Sequence, residues 1–586
     1  MNIAKKFYEN FYKNKQKVFI KSKENGSYKD YYWSDIENFV SKLATFFIQK
    51  GLKDKRRISI VSHNRKEWFI SDLAILSAGC ITVPIYPTST SGQIEYILKD
   101  SEIDTIIVEN KEQYEKVKNF DFLKMIISFE KLDEENDKNF YIYDIFKFVE
   151  PDLEKIIKII DKITKDDVLT LIYTSGTTGL PKGVYLTHGN ILHNVVRGAE
   201  YIPIYEDDIF LSHLPLSHAF ERTVGQFAPM YFSSIIAYAE EINTIGENLK
   251  EVKPTVFVSV PRVYEKILER IIEKVREASF LKRKLFYSAK ELAQKYAEHV
   301  SFNKDFSSFD KIMYKFYEKK VYSKLRETVF GGRMRVMVSG GAKLPYEIGL
   351  FYNGIGIPLL EGYGLTETSP VISVNPFGRN RIGTVGLPLP EVKVKIAEDG
   401  ELLVKGPNVF KGYHNKPEEN RLAFKDGWFC TGDIAEFDEA GYIKITDRKK
   451  DLIVTSGGKN IAPQAIENIL KEDPFISEVM VYGDGKKFIS ALIVPNFEAL
   501  YQWAEERGLK FSSNEELVKN EKVIRLIQHR IEKRSKPLAR YEKVKKFILL
   551  PKEFSMEDGE VTPTLKLRRK IITEKFKKEL DALYEE

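Results

Sequence analysis

The chain has 586 residues, of which 43% are hydrophobic and 30% charged, and its 91 basic and 85 acidic side chains give a formal net charge of +6. This length is too great for one ordinary hydrophobic core, so we expect two or more domains. The near balance of charge argues against nucleic acid as a partner. Only two cysteines are present, Cys80 and Cys430, far apart in sequence and without metal-ligand spacing, which argues against a disulfide framework and favours a reducing cytoplasm.

The first residues, MNIAKKFYENFYKNKQK, contain no apolar core segment, so we do not expect a signal peptide. The most apolar run, at 73–87, is interrupted by Ser77, Gly79 and Pro84 and is too short to span a membrane. We therefore expect a cytoplasmic protein, and any contact with a membrane would be peripheral, at the inner face.

Apolar, strand-like runs alternate with helix-like segments in the first part of the chain, up to about residue 400. These runs are ISIVS at 58–62, TIIVE at 105–109, TVFVS at 255–259 and RVMVS at 335–339. Turn signals follow each run, and then a helical pattern. This alternation predicts the α/β class, with parallel or mixed sheets covered by helices.

One strand-like run, within LIYTSGTTGLPKGVYLT at 171–187, leads into a loop rich in hydroxyls and glycine. The loop is Thr174-Ser175-Gly176-Thr177-Thr178-Gly179, and Lys182 follows it. Glycine lets backbone N–H groups approach an anion closely, the hydroxyls donate hydrogen bonds and the lysine adds charge, so a polyphosphate is the natural ligand. The Walker loop is excluded because Gly183 stands where it needs Ser or Thr. A hairpin turn without a ligand is the alternative.

The segment 265–327 is predicted to be mainly helical, and it is rich in lysine, phenylalanine and tyrosine. Its most basic and aromatic stretches are 281–287 and 314–322. In one interpretation the helices present a solvated charged face and their aromatic side chains pack inward. In the other, the segment forms a patch that binds an anionic membrane surface.

Three further motifs follow downstream. LEGYGLTETSP at 360–370 places an aromatic ring, a hydroxyl and a carboxylate close together, and TPTLKLRR at 562–569 is strongly basic. DGWFCTGDIAEFDEAGYIKITDRKKD at 426–451 ends in a dense run of charges between two predicted strands. This charge run is the best candidate for a domain boundary, with a surface turn as the alternative. A small α+β domain containing the strands VMVYG and SALIVP would follow it.

In order and spacing these motifs resemble the AMP-binding adenylate-forming superfamily, and among its members the long-chain fatty acyl-CoA synthetase branch. The resemblance extends over 34–569. It implies an AMP-binding and acyl-binding domain at 1–447, a mobile domain at 448–586 and a hinge near Lys450. It also implies that ATP adenylates a long-chain fatty acid, with release of pyrophosphate, and that CoA then attacks the acyl-AMP to give acyl-CoA and AMP. ATP, Mg²⁺ and CoA are the expected cofactors.

The resemblance also implies roles for individual residues. The loop at 174–182, with Lys182, would clamp the β- and γ-phosphates. Tyr363 would lie along the adenine, Thr366 would donate to the α-phosphate and Glu367 would hold Mg²⁺, a hard cation that one carboxylate and phosphate oxygens can bind. By itself, GLTET could equally be the capped start of a helix.

Further roles fall in the last third of the chain. Asp433 would accept hydrogen bonds from the ribose hydroxyls, and Arg448 would reach the ribose and phosphate; a turn residue and a surface ion pair are the alternatives. Lys566 would bridge the substrate carboxylate and the α-phosphate, unless it is an ordinary exposed cation. Gly457 and Gly458 would line the pantetheine tunnel after the small domain rotates between the half-reactions, unless they form only a flexible turn.

The expectation of a long acyl chain rests on a few positions. Small-acid members carry tryptophan at the position of Gly364, so glycine implies a pocket open to a longer tail. His218, in LPLSHAFER at 214–222, and VPRVYEKI at 260–267 resemble the acyl-pocket segments of the long-chain branch, although His218 could be a buried structural histidine. Gly340-Gly341-Ala342 would form a wall shared by adenine and acyl chain. Arg222 stands where some long-chain relatives have an aromatic gate.

Several other functions are alternatives to this interpretation. An acyl-AMP ligase that delivers to a carrier protein would keep the same nucleotide motifs, whereas a catalytically inactive acyl- and nucleotide-binding scaffold would not need all the charged residues retained here. An aryl or short-chain acid ligase is disfavoured by Gly364. A serine hydrolase is disfavoured because neither Ser175 nor Ser339 lies in a Gly-x-Ser-x-Gly elbow, and a kinase lacks its catalytic aspartate loop. Both a monomer and a homodimer remain open.

Overall fold

The structure, a computed structural model, describes residues 1–133, 136–174, 181–456, 459–555, 557–561 and 567–585, with the side chains of Ile242, Lys450 and Asn460 excepted. The chain divides into two compact units. Unit 1 comprises Met1–Val394, Val404–Phe429 and Gly441–Ile443, and unit 2 comprises Lys395–Leu403, Cys430–Ala440 and Lys444–Glu586. The predicted domain boundary after residue 447 and the hinge at Lys450 stay predictions.

The β-strands of the described residues are, in chain order, β1 (Val18–Glu24), β2 (Ser27–Tyr32), β3 (Arg57–Val61), β4 (Ile81–Ile85), β5 (Thr105–Val108), β6 (Met125–Ser128), β7 (Asn139–Tyr141), β8 (Val168–Thr174), β9 (Lys182–Thr187), β10 (Ile209–Ser212), β11 (Ile235–Tyr238), β12 (Val256–Ser259), β13 (Val336–Ser339), β14 (Leu359–Gly364), β15 (Val371–Val374), β16 (Leu387–Pro388), β17 (Lys393–Ile396), β18 (Glu401–Lys405), β19 (Phe424–Lys425), β20 (Trp428–Phe437), β21 (Ile443–Arg448), β22 (Ile453–Val454), β23 (Asn460–Ile461), β24 (Ile476–Tyr482), β25 (Ser490–Pro495) and β26 (Lys546–Leu549).

The α-helices of the same residues are α1 (Ile3–Asn14), α2 (Trp33–Gln49), α3 (Lys66–Ser77), α4 (Ser91–Asp100), α5 (Lys111–Glu115), α6 (Ile142–Phe148), α7 (Leu153–Ile160), α8 (His188–Tyr201), α9 (Ala228–Phe232), α10 (Ile245–Val252), α11 (Pro261–Arg276), α12 (Phe280–Phe302), α13 (Ser308–Tyr317), α14 (Ser323–Phe330), α15 (Tyr346–Gly354), α16 (Pro417–Ala423), α17 (Pro463–Lys471), α18 (Phe497–Glu505), α19 (Asn514–Lys519), α20 (Glu521–Arg534), α21 (Arg569–Lys575) and α22 (Lys577–Ala582). Two segments are π-helical, Glu221–Phe227 and Glu318–Tyr322. Short 3-10 turns occur at Ile242–Thr244, Thr366–Thr368, Lys449–Asp451 and Arg540–Glu542.

Unit 1 is built on two large sheets. Among the described residues one sheet has nine strands in the order β16-β15-β14-β13-β12-β10-β11-β1-β2, and the other has seven in the order β7-β6-β5-β3-β4-β8-β9. Neighbouring strands from β1 through β11, β10, β12 and β13 to β14 are parallel, and so are those from β7 to β8 in the second sheet. Antiparallel partners lie at the edges, β2, β15, β16 and β9.

The central strands of both sheets are short apolar segments buried along their length. In β12 and β13 every residue is buried, and the same holds for β5 and β6. Such continuous apolar runs are typical of parallel strands with both faces covered by helices. The α/β prediction for the larger part of the chain, made from four of these runs, is confirmed.

The predicted helical segment after β12 is also confirmed, as α11 to α14 with a π-helix between α13 and α14. α13 begins at a capping box in which Ser307 and Asp310 satisfy each other's backbone N–H groups. Tyr317 and Tyr322 pack into the core, as the inward-packing interpretation requires. Among the described residues no helix is long and apolar enough to cross a membrane.

Unit 2 contains a separate sheet of order β24-β25-β26, in which β24 and β25 are antiparallel and β25 and β26 parallel. A core of aliphatic side chains joins this sheet to α17 and α20. The strands predicted from VMVYG and SALIVP are present as β24 and β25. The prediction of a smaller α+β part towards the end of the chain is therefore confirmed.

Candidate functional site

Several predicted site residues of unit 1 lie along one edge of the nine-stranded sheet. Ser259 of β12 pairs with Ser339 of β13, which pairs in turn with Glu361 of β14, and all these strands are parallel. The segment 340–342 follows β13 directly, and the segment 362–364 ends the neighbouring strand β14, so both lie towards the carboxyl ends of these parallel strands. Ligands of open α/β sheets bind outside the carboxyl ends of parallel strands, so this edge is the place for a ligand.

The predicted acyl-pocket residues meet at this edge. A Cβ added to Gly340 would lie 2.9 Å from Cζ of Phe220, so the phenyl ring occupies the space that a side chain would need. Phe220 donates its backbone N–H to Nδ1 of His218 over 3.2 Å, and His218 donates its own N–H to the carbonyl of Pro215 over 2.9 Å. His218 is thus fixed by a tight turn, and its ring is half-buried. Gly341 and Ala342, next to Gly340, are exposed.

Gly364 is required by the backbone itself. It pairs with Val371 in the antiparallel ladder of β14 and β15, where a Cβ would lie 1.7 Å from the carbonyl oxygen of Pro370. With this backbone no residue other than glycine fits. The sequence interpretation, which treated Gly364 as the absence of a tryptophan from an acyl pocket, did not foresee this constraint. Tyr363, one residue earlier, is half-buried and pairs with Ser373.

The carboxylate of Glu367, the predicted metal ligand, is held by another chain segment. Thr366 and Glu367 lie in a 3-10 turn after β14, and both are half-buried. The hydroxyl of Tyr413 donates to Oε1 of Glu367 over 2.9 Å, and the N–H of Phe410 donates to the Glu367 carbonyl over 2.8 Å. Burial, and then the nearby Glu367 charge, raise the pKa of Tyr413 above its usual range, so its hydroxyl remains a donor.

Lys182, the predicted phosphate lysine, contacts the same tyrosine. Its Nζ lies 5.4 Å from the centroid of the Tyr413 ring and 3.9 Å from Oε1 of Glu419. Lys182 begins β9 and pairs with Thr174 at the end of β8. The predicted loop thus connects two antiparallel strands, and Ser175-Gly176-Thr177-Thr178-Gly179 lie outside the described residues.

The two predicted ribose residues lie together in unit 2. Asp433 of β20 is buried, and its Oδ1 is 3.3 Å from Nε of Arg448, the last residue of β21. The Arg448 side chain is 39% exposed. A surface ion pair was the alternative to a ribose-binding role for Arg448. Arg448 does form an ion pair, and its partner is Asp433, the other predicted ribose ligand.

Three predicted residues, Gly457, Gly458 and Lys566, lie outside the described residues. Around the two glycines, β22 and β23 form an antiparallel pair. On either side of the lysine segment, Val561 and Leu567 form an antiparallel bridge.

Arg222, which stands where some long-chain relatives have an aromatic gate, forms a buried ion pair. Arg222, in the π-helix, donates through Nε to Oδ2 of Asp72 over 2.9 Å and through Nη1 to the Thr170 hydroxyl over 2.6 Å. Its guanidinium also lies over the Trp68 and Phe227 rings. Arg222 is therefore part of the core that ties α3, β8 and the π-helix together.

The oxygen donors present suit a hard cation held mainly by its nucleotide. No cluster of three or more His, Cys, Asp or Glu side chains that could hold a metal occurs in the described part of the chain. The Glu367 carboxylate is instead oriented by Tyr413, the tyrosine that Lys182 also contacts. This donor set fits Mg²⁺, which is usually bound by one or two carboxylates and substrate phosphates.

Sequence reasoning missed Tyr413 altogether. It is 46 positions from Glu367, with which it bonds, and no spacing rule relates residues so far apart. The only signal in the sequence was an aromatic residue after a glycine in KGYHN. The buried Arg222–Asp72 pair, 150 positions apart, was likewise invisible.

Comparison with known proteins identifies the family of this chain. Residues 7–414 match the family model of the AMP-binding enzyme, and residues 450–586 match that of the AMP-binding enzyme C-terminal domain. The long-chain-fatty-acid–CoA ligase FadD15 of Mycobacterium bovis is 34% identical over 595 residues, covering 100% of this chain and 97% of that protein. Long chain acyl-CoA synthetase 4 of Arabidopsis thaliana is 30% identical, covering 94% of this chain and 86% of that protein.

Among solved structures, ATP-bound MatB from Rhodopseudomonas palustris superposes with a TM-score of 0.72 at 22% identity, covering 99% of this chain and 100% of that chain. This similarity supports the fold. Both sequence similarities run through nearly the whole chain, and they confirm the predicted family. The chain belongs to the AMP-binding, adenylate-forming enzymes.

Proposed function

We propose that this chain is an ATP-dependent long-chain fatty acid–CoA ligase that forms AMP. The proposal is supported by similarity over nearly the full length to proteins named for this activity. The geometric observation that carries it is that Tyr413 contacts both residues: Lys182, the first residue of β9, lies over its ring, and Glu367, in the 3-10 turn after β14, accepts from its hydroxyl. A cation and an oriented carboxylate at one place suit a metal-bound polyphosphate.

The reaction has two balanced steps. In the first, a carboxylate oxygen of the fatty acid attacks the α-phosphorus of ATP, the bond to the bridging oxygen breaks, and pyrophosphate leaves. In the second, the CoA thiolate attacks the acyl carbon of the acyl-AMP, a thioester forms and AMP leaves. The protein mainly orients the reactants and offsets charge as it develops on phosphate and carbonyl oxygens.

In unit 1 the proposed roles follow the edge of the nine-stranded sheet. Lys182 and the loop that it ends offset charge on the β- and γ-phosphates. Tyr363 lies against the adenine and Thr366 donates to the α-phosphate. Glu367 holds Mg²⁺, which when bound would neutralise charge on the phosphate oxygens. His218, Phe220 and the segment 340–342 line the acyl side, where the phenyl ring already fills the space over Gly340.

In unit 2, Asp433 accepts hydrogen bonds from the ribose hydroxyls, and Arg448, its ion-pair partner, reaches the ribose and phosphate. Lys566 bridges the substrate carboxylate and the α-phosphate during adenylation. Gly457 and Gly458 allow close approach of the pantetheine arm. The mobility of the domain 448–586 about a hinge near Lys450 belongs to the same proposal.

Product analysis over a series of acids tests the proposed function. The purified chain is incubated with ATP, MgCl₂ and CoA and with acids from acetate to long saturated and unsaturated fatty acids, and AMP, pyrophosphate and acyl-CoA are quantified. We expect equal amounts of the three products, with long-chain acids preferred. Acyl-AMP without acyl-CoA would instead indicate a ligase that serves a carrier protein. No product with any acid, from folded protein that binds ATP, would indicate a scaffold.

We further propose that α13 contacts anionic membrane surfaces, where long-chain fatty acids partition. Its Phe309, Ile312 and Phe316, at helical spacing, are 69%, 67% and 45% exposed. Four exposed lysines at 311, 315, 319 and 320 border these residues, and none forms an ion pair with a described residue. An apolar stripe bordered by cations is typical of a helix lying in a membrane interface.

Co-sedimentation with lipid vesicles tests this contact. We expect binding to vesicles that contain anionic lipid, reduced by salt, and weaker binding to zwitterionic vesicles. Replacing Phe309 and Ile312 by serine should reduce the bound fraction at least severalfold. Phe148→Ser, at a residue 70% exposed in unit 1 outside this helix, serves as the control. Binding unchanged by the α13 substitutions would overturn the proposal.

A further inference from the structure

We infer that Tyr413 is a positioning residue that holds the phosphate lysine Lys182 and the metal carboxylate Glu367 in a fixed relation. The inference rests on the proposed function, because it takes the roles of those two residues from it. It goes further by assigning to one tyrosine, in a segment that the sequence motifs did not include, the task of aligning both. Three sets of contacts support it.

The first set fixes the backbone of Tyr413. The residue forms an antiparallel bridge with Val184 of β9. Neighbouring bonds extend this pairing, since His414 donates its N–H to the Gly183 carbonyl over 2.8 Å. The side chain of Asn420 both accepts from the N–H of Tyr413 over 2.6 Å and donates to its carbonyl over 3.0 Å. Tyr413 is thus attached to the strand that begins with Lys182.

The second set fixes the ring. The Tyr413 and Phe410 rings meet edge to face, with centroids 4.8 Å apart. The Nζ of Lys182 lies over the Tyr413 ring, 5.4 Å from its centroid, which is within the range of a cation–π contact. Lys182 is half-buried, so this contact restricts a long side chain that would otherwise sample many rotamers.

The third set reaches the 3-10 turn. The Tyr413 hydroxyl bonds to Oε1 of Glu367, and Phe410, three residues earlier, bonds to the Glu367 carbonyl. One short segment therefore orients both the backbone and the carboxylate of Glu367. Hydrogen-bonding partners of metal ligands typically change metal affinity by about 10–100-fold when they are removed. We expect the Tyr413 hydroxyl to act in this way.

The test measures equilibrium binding of ATP, without fatty acid, in excess Mg²⁺ and in EDTA. Tyr413→Phe keeps the ring beneath Lys182 and removes only the bond to Glu367. We expect its ATP affinity in Mg²⁺ to fall about tenfold and its affinity in EDTA to stay as in the wild type. Tyr413→Leu, which also removes the ring, should weaken ATP binding in EDTA as well, because Lys182 loses its support.

A matched control is Tyr185→Phe. Tyr185 lies on β9 next to this site, and its hydroxyl bonds to Nδ1 of His414 over 2.6 Å rather than to Glu367. This variant should bind ATP as the wild type does in both conditions. Equal loss of ATP affinity with and without Mg²⁺ in Tyr413→Phe, or no loss in either, would overturn the inference.

A double variant separates this inference from the proposed function. Glu367→Gln should remove the gain in ATP affinity that Mg²⁺ gives, and adding Tyr413→Phe should then cause no further loss. If the two effects multiply instead, Tyr413 does not act through Glu367 and the inference fails alone. If Glu367→Gln keeps the full Mg²⁺ gain, the assignment of the metal ligand in the proposed function fails, and the inference fails with it.

Discussion

Arg448 and Asp433 form an ion pair, with Arg448 Nε 3.3 Å from Asp433 Oδ1, in which the carboxylate is buried and the guanidinium more than a third exposed. Arg448 is the last residue of β21, and Asp433 lies within the neighbouring strand β20. A buried carboxylate with a cation on one side can accept hydrogen bonds on another. This arrangement suits a sugar diol.

Asp433→Asn should raise the KM for ATP by about tenfold or more. The amide keeps the size of the side chain but loses the charged acceptor, and a hydrogen bond to a charged group is worth about 1.5–3 kcal/mol. Initial rates at varied ATP measure the effect. Lys444→Gln, which breaks an exposed pair with Glu436 on the same two strands, should leave the KM unchanged. An unaltered KM in Asp433→Asn would remove Asp433 from the nucleotide site.

Gly340→Ala should impair the use of long acids. The new methyl group would lie 2.9 Å from Cζ of Phe220, so this ring, which we propose lines the acyl side, must move. We expect kcat/KM to fall several-fold for long-chain acids, with little change in ATP affinity. Gly198→Ala in α8, where a Cβ would meet nothing within 4 Å, is the control. An equal loss for short and long acids would contradict the proposed position of the acyl chain.

Gly364→Ala should destabilise the fold rather than alter chain-length preference alone. A methyl group there would overlap the Pro370 carbonyl, at 1.7 Å, and the strand pairing would have to open. Overpacking of this kind costs about 1–3 kcal/mol or more. A thermal melt should show a lower midpoint than the wild type, whereas Gly198→Ala should not. A normal midpoint would mean that the backbone at Gly364 adapts freely.

Stability should depend on pH through Glu221, which is buried in the π-helix. Burial raises its pKa to about 8 from an ordinary value of 4.5. The folded state therefore holds a proton that the unfolded state releases. This contribution is complete below about pH 4.5 and is lost as the pH rises through about 8.

Glu221→Gln is neutral at every pH, so its thermal midpoint should rise relative to the wild type between about pH 5 and about pH 8.5. Circular dichroism melts at several pH values measure the difference. Glu327→Gln, at an exposed position, is the control, and its thermal midpoint should change with pH as that of the wild type does. A constant difference between Glu221→Gln and the wild type would show that Glu221 is charged in the folded state.

Lys566→Ala should separate the two half-reactions. If Lys566 bridges the substrate carboxylate and the α-phosphate, the variant loses acyl-AMP formation by about a hundredfold or more but still forms acyl-CoA from supplied acyl-AMP. Quenched-flow measurement of each half-reaction decides this. Lys570→Ala, four residues later, is the control. Equal loss of both half-reactions would contradict the assigned role.

Much of the fold could be predicted from the sequence because the central strands are short apolar runs bounded by turns. The segments 255–259 and 335–339 gave β12 and β13 almost to the residue. The segment 265–327 is predictable as helical from a different pattern. It is not continuously apolar but mixes lysines with aromatic residues, and some of these, such as Tyr317 and Tyr322, face inward. Local patterns of this kind report which elements form.

The remaining features depend on contacts between distant segments. The Tyr413–Glu367 bond and the Arg222–Asp72 pair arise only when strands and helices far apart in sequence pack together. The constraint on Gly364 is a further feature that a local sequence pattern does not reveal. The identity of this residue pointed to a pocket, but the constraint on it comes from the approach of a neighbouring strand, which no spacing reveals.

The central claim is that one chain carries out both adenylation and thioester formation on long-chain acids. ATP–pyrophosphate exchange, measured across acids from acetate to long-chain fatty acids and followed by addition of CoA, tests it most directly. The account predicts exchange that is strongest with long acids, and release of AMP and acyl-CoA once CoA is present. Exchange without any turnover of CoA, or no exchange with long acids by folded, ATP-binding protein, would contradict it.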